Sequence, residues 1–194
     1  MMRTNNSSLV LSFAAAGAAI LALLLCGRVA ATSLARLSVE QMSAAASTIA
    51  RGRCIADESR WENGEIWTIS TLEIEDVWKG SAPARIAVRL IGGHAGHFVS
   101  TVAGVPRFHP GEEVILFLEP DRGGRFTVIG WAQGAFRIRR DPHSGAETVT
   151  QDSSGFESID SSGRESAEGV IQGLALEKFR TRVLAALDRG GRPR

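Results

Sequence analysis

Tyrosine is absent from this chain, and cysteine occurs only twice, as Cys26 and Cys54. Charge is close to balanced: 22 Lys and Arg stand against 21 Asp and Glu. Each shortage excludes something. A near-neutral chain with no basic run carries no electrostatic footprint for nucleic acid and no polybasic segment for lipid head groups. Two cysteines, one of them inside the apolar N-terminal run, are too few for a disulfide framework or a cysteine-built zinc site. Neither the G-x-S-x-G nucleophile elbow nor the H-E-x-x-H zinc signature occurs, so the sequence shows no catalytic motif. The reading is of a non-enzymatic chain with no cofactor.

What is present begins with a secretory pattern. Met1 to Ser8 is polar and carries Arg3, Leu9 to Cys26 is apolar or small without a charge, and Val29-Ala30-Ala31 offers a small-residue cleavage site. Residues 1–31 are therefore expected to be a signal peptide, which implies a secreted or periplasmic protein. The alternative is an uncleaved membrane anchor, since the apolar run is just long enough to span a bilayer. Leu25 before Cys26 argues against lipidation. Removing 31 of the 194 residues leaves 163 and takes away Arg3 and Arg28, so 20 basic residues then face 21 acidic ones. A domain of that length buries enough surface to fold on its own core, which it must do, because Cys54 alone can form no internal disulfide. Within the apolar stretch Ile49 to Ile55, Cys54 reads as a small buried hydrophobe.

Residues 32–46 hold a short helix. Ser38 and Gln41 make a capping box and Leu37 can staple onto Met42. From 47 to 150 the pattern is β. Ile49 to Arg60 is a strand, Asn63-Gly64 a two-residue hairpin turn, and Glu65 to Trp78 a long second strand. In that strand the apolar positions Trp67 and Ile69 give way to Leu72 and Ile74. This change of parity between 69 and 72 predicts a bulge or strong coil, as in a small barrel. Ile86, Val88 and Leu90 alternate as a third strand. Gly92 to His97 reads as a flexible connection, continuing as loop to Pro110-Gly111. Val114 to Leu118 reads as a strand buried on both faces, followed by strands at Phe126 to Trp131, Ala135 to Arg139 and Glu147 to Thr150. Residues 151–172 are rich in Ser, Gly and acid and read as a mobile linker. An amphipathic helix over 173–189 carries Leu176, Phe179, Val183 and Leu187 on one face and is expected to close the open end of the barrel. Residues 190–194 are expected to be a disordered tail.

Ser47-Thr48-Ile49-Ala50-Arg51-Gly52-Arg53, together with Val77-Trp78-Lys79-Gly80, resembles the opening of the netrin-like domains, the group that includes the tissue inhibitors of metalloproteinases. Gly104-Val105-Pro106-Arg107-Phe108-His109-Pro110-Gly111-Glu112 and Gly130-Trp131-Ala132-Gln133-Gly134 are similar to uncharacterised exported bacterial proteins with the pattern G-x-P-x-F-x-x-G-E, then G-x-x-Q-G. The netrin-like resemblance implies a mostly β fold: a small closed antiparallel barrel of the oligonucleotide/oligosaccharide-binding type, with five or six strands. Those inhibitors chelate zinc with an N-terminal cysteine. No cysteine lies near the expected mature start, so that chemistry does not carry over to any residue here.

Candidate binding residues are Gly93, His94, His97 and Phe108 in the 92–112 loops, and Trp61 and Trp131 beside turns, where a ring can stack a ligand. Trp67 fits the core pattern. His94, His97 and His109 with Glu112 could form a metal set, but the glycine-rich setting does not preorganise ligands, and they read as solvated loop histidines. Glu112 and Glu113 are strand neighbours pointing to opposite faces and form no acid/base pair. Three functions follow in order: an exported domain binding a protein partner, such as a protease, through barrel-edge loops; a glycan or envelope-ligand binder using tryptophans; and a metal-dependent enzyme built on the loop histidines. Oligomeric state is not legible.

Overall fold

The computed structural model describes residues 36–152 and 170–190. The expected signal segment, residues 153–169 of the expected linker and the tail after Gly190 lie outside the described residues; of the rest of that linker, Gln151 ends a strand and Asp152 and Ile171 are buried. Within them the chain is mostly β. Helix α1 is Val39–Ala45. Strands follow as β1 Thr48–Glu62, β2 Glu65–Lys79, β3 Arg85–Ile91, β4 Gly93–Ala95, β5 Phe98–Ser100, β6 Glu113–Pro120, β7 Phe126–Val128, β8 Ala135–Arg140, β9 Glu147–Gln151 and β10 Leu174–Ala175. Helix α2 is Leu176–Gly190. Among the described residues no helix is long and apolar enough to cross a membrane.

The start of α1 follows the expected capping box. Ser38 Oγ accepts from the Gln41 amide at 3.1 Å, and Gln41 Oε1 accepts from the Ser38 amide at 2.8 Å. At the other end Lys79 Nζ donates to the carbonyls of Ser43 and Ala44, a cation on the orphan acceptors of a helix C-terminus. The β1–β2 hairpin turns at Asn63 and Gly64, both at positive φ, as a two-residue hairpin loop requires.

The pairing of β1 with β2 is interrupted three times. Ile55 is extra in β1; Glu75 and Trp78 are extra in β2. The face of β2 therefore does not change between Ile69 and Leu72, as the sequence pattern suggested. Ile66, Thr68, Ser70 and Leu72 are buried on one side without a break. The change comes later, past Glu75, where Trp78 joins a different core from Leu72. Trp67 is on the outer face, its ring covered by the Arg89 guanidinium 3.3 Å from the centroid. The inward positions the sequence disguised are polar, Thr68 and Ser70.

Sheet pairing runs β1-β2-β3-β7-β6-β8-β9-β10, with β1 also paired to β6. β6 uses one edge for β1 and the other for β8 and then β7. β3 meets β7 in parallel through a single pair, Val88 with Phe126. The ladder leaving β1 through β2, β3, β7 and β6 thus comes back to β1. The connection expected to be flexible at 92–97 instead opens a separate hairpin, β4 with β5.

Two cores share β6. One is the inner core, in which Val114, Leu116 and Leu118 face Cys54, Leu72, Val88, Val105 and Phe108. Ile115 and Phe117 face Met42, Ile49, Trp78, Phe136 and the α2 residues Leu176, Phe179 and Val183. That double facing explains the unbroken apolar run at 114–118. Helix α2 buries the predicted stripe, but it does so over the Ile115 and Phe117 face of β6 rather than across the end of a barrel.

Candidate functional site

The β1–β2 hairpin extends past the inner core. Beyond the Ile55 bulge the pairs on this face are Asp57 with Ser70, Ser59 with Thr68 and Trp61 with Ile66. In the first two the sequence supplies polar side chains in place of apolar ones, and each finds a partner. Ser70 Oγ donates to Asp57 at 2.6 Å. Thr68 Oγ1 donates to the Gly92 carbonyl at 2.6 Å, accepts from Arg107 Nη1 at 3.1 Å, and lies 2.8 Å from Ser59 Oγ. With its one proton committed to Gly92, Thr68 must accept from Ser59, so its full hydrogen-bonding capacity is used.

The β4–β5 hairpin is mounted on this polar floor. Gly92 and Gly93 turn the chain out of β3 at φ 84° and 137°. A Cβ at Gly93 would lie 2.3 Å from both Ser59 Oγ and Thr68 Oγ1, and one at Gly92 would lie 2.6 Å from the Ser100 carbonyl. Only glycine permits so close an approach. Gly96 and His97 form the tip of the hairpin. Phe98 and Val99, on opposite faces of β5, are 60% and 69% exposed, and Trp61 near the end of β1 is 52% exposed. Trp61 and Phe98 meet edge to face with centroids 5.4 Å apart. The result is an exposed Trp61–Phe98 pair on one face of a small, internally braced projection, with Val99 exposed on its other face.

The structure thus brings Trp61, Gly93, His94 and His97 into one region and leaves the other candidates out of it. Phe108 is fully buried in the inner core and cannot be a contact residue. Its aromatic ring anchors the loop instead of presenting it. Trp131, 37% exposed, lies on the 3-10 turn Trp131–Gly134 between β7 and β8. His94 and His97 are exposed on the hairpin, while the His109 amide donates to Glu112 Oε2 in its own loop at 3.0 Å. Among the described residues no group of three or more His, Cys, Asp or Glu side chains is placed to hold a metal ion. Cys54 is buried in the inner core. Burial, reinforced by the nearby Asp57 charge, pushes its thiol up to about 11, the opposite of a reactive cysteine.

Arg107, Thr68 and Val99 were not singled out by sequence reasoning. For Val99 a signal existed: Gly96-His97 between Gly93-His94-Ala95 and Phe98-Val99-Ser100 is a two-residue hairpin turn. For Arg107 and Thr68 there was none, because their role depends on chain segments far apart in sequence. No protein-family model matches the chain, and no curated protein matches it.

Proposed function

We propose that the domain is a non-enzymatic binding module of the exported compartment that engages a protein partner through the β4–β5 hairpin and Trp61. The observation that carries this reading is the exposed Trp61–Phe98 ring pair, with Val99 exposed on the other face of the same hairpin. Large apolar side chains left facing water, on a backbone fixed by hydrogen bonds, are what an association surface requires. The secretory pattern of residues 1–31 supports a secreted or periplasmic location. The ring of pairings through β1, β2, β3, β7 and β6 supports a small closed barrel. A second reading, a glycan platform at Trp131, draws on that ring's partial exposure beside a tight turn. Quenching of tryptophan emission by glycan fragments, lost in Trp131→Ala, is its test.

The partner reading is tested by placing a photo-crosslinking amino acid at position 99 of the purified protein and, as a control, at the exposed position Glu177. Exposed to the exported fraction, the reporter at 99 should capture a discrete protein that the reporter at 177 does not. Trp61→Ala and Phe98→Ser should each reduce capture with the melting temperature little changed. Equal capture at both positions, or none at 99, overturns the proposal.

A further inference from the structure

Resting on that reading of the hairpin as the binding element, we infer that Arg107 is a positioning residue, which sets the angle at which Phe98 and Val99 are presented. The hydrogen bonds of Arg107 go to backbone and to Thr68. Its guanidinium reaches the backbone just before the hairpin. Nη2 donates to the Ile91 carbonyl at 2.8 Å, and Nη1 donates to the Gly92 carbonyl at 3.2 Å and to Thr68 Oγ1 at 3.1 Å. Two successive carbonyls are gripped by two nitrogens of one planar fork, a geometry that the single ammonium of lysine does not reproduce.

The carbonyls it holds belong to the point where the chain bends. Gly92 and Gly93 lie at positive φ, and glycines confine a hinge less than any other residue does. Something outside the pair must therefore fix the direction of the hairpin. The Gly92 amide is held by the Ile66 carbonyl at 2.7 Å. Its carbonyl is held by Thr68 and Arg107 together. The base of the latch is itself rigid. Val105 and Phe108, on either side of Arg107, are buried in the inner core, and the Arg107 carbonyl accepts from Arg137 Nη2 at 2.6 Å.

The choice of partners separates this role from ordinary charge pairing. Among the described residues no carboxylate forms an ion pair with Arg107, whereas Arg51, Arg53, Arg85, Arg89 and Arg137 all have one. The Asp57 carboxylate favours its charge through space, but the donors of this half-buried guanidinium go to neutral oxygens, which gives it control of the backbone it touches.

The test is hydrogen exchange on the full chain in Arg107→Gln, Arg107→Lys and Thr68→Val, combined with 19F spectra of 5-fluorotryptophan-labelled protein, in which Trp61→Phe identifies the Trp61 resonance. Arg107→Gln should speed exchange of the 94–100 amides on the order of ten-fold, with the β1 and β6 amides unchanged. The Trp61 resonance should move as the Phe98 edge leaves it, and Arg107→Lys should restore part of both effects. Hairpin amides that exchange as slowly as in the parent overturn the inference, as does an equal loss of protection across the domain, which would make Arg107 a general support. Should Arg107→Gln fail to fold, Thr68→Val decides by the same two outcomes. The partner reading fails separately. If the hairpin loosens as expected yet Trp61→Ala still captures the same protein, the latch stands and the binding surface lies elsewhere.

Discussion

Trp131 holds a backbone conformation that large side chains rarely adopt. Its φ is 55°, directly after Gly130 at 60°, in the left-handed region that costs a non-glycine residue about 1 kcal/mol or more. The surroundings impose it. The Ala132 amide donates to the Gly104 carbonyl at 2.8 Å and the Gln133 amide to Gly130 at 3.1 Å. The buried Gln133 accepts from the Leu37 amide through its side chain and from Gln151 Nε2 through its carbonyl. Comparing two truncations isolates the backbone effect, because both remove the ring. Trp131→Gly should be more stable than Trp131→Ala by about 1 kcal/mol in urea unfolding, although glycine is ordinarily the less stable of the two. Single residues also explain where the sequence misled. Trp67 and Ile69 look like core and Thr68 and Ser70 like surface, yet the assignments are reversed. A cation stacked on Trp67 shields the ring outside, while Ser59, Asp57 and the Gly92 carbonyl satisfy the hydroxyls inside. Hydropathy cannot anticipate either partner.

Elements were legible in proportion to how local their causes are. The capping box of α1, the Asn63-Gly64 turn and the stripe on α2 each depend on residues within a few positions of one another, and each formed. The position of α2 depends on Phe117, Phe136 and Trp78, which come from distant strands. Phe179 meets these three rings at centroid distances of 6.4, 4.6 and 6.1 Å. A helix of this length is marginal alone, so its stability comes from that packing. Phe179→Ala should cost about 3–5 kcal/mol, read from the denaturation midpoint with the slope unchanged. The two helices are further joined by Arg182, which donates to both oxygens of Glu40 at 2.8 and 3.1 Å. Hydrogen bonding to Arg182 lowers the Glu40 carboxyl to about 2. A depressed folded pKa means the contribution is present above the ordinary carboxylate range near 4.5 and is lost as pH falls toward 2. Both side chains are more than a third exposed, which limits the effect to roughly 0.5 kcal/mol. Glu40→Gln should therefore be less stable than the parent at pH 7 by about that amount, and equal to it at pH 2.

Over the whole molecule the ladder is uneven. β1 and β2 pair along almost their full length, and β1 and β6 over six positions, but β3 and β7 meet through Val88 and Phe126 alone. This seam is the expected site of the lowest-energy opening. Native-state exchange should show the β7 amides losing protection at lower denaturant than those of β6, and uniform protection across the two would contradict it. The candidate surface was the least legible part at this scale. Trp61, His94 and His97 were singled out and lie at this hairpin, but Phe108 is buried, because burial of a loop aromatic is set by strands elsewhere. The 92–97 segment read as floppy because its order comes from Arg107 and the β1–β2 floor.

The strand shared by both cores has a further consequence. Since Val114, Leu116 and Leu118 serve one interior and Ile115 and Phe117 the other, neither can melt while its neighbour stays packed. Calorimetry should record one cooperative transition, with van't Hoff and calorimetric enthalpies in agreement, and damage on the helix side should lower the melting temperature of the side that carries the hairpin.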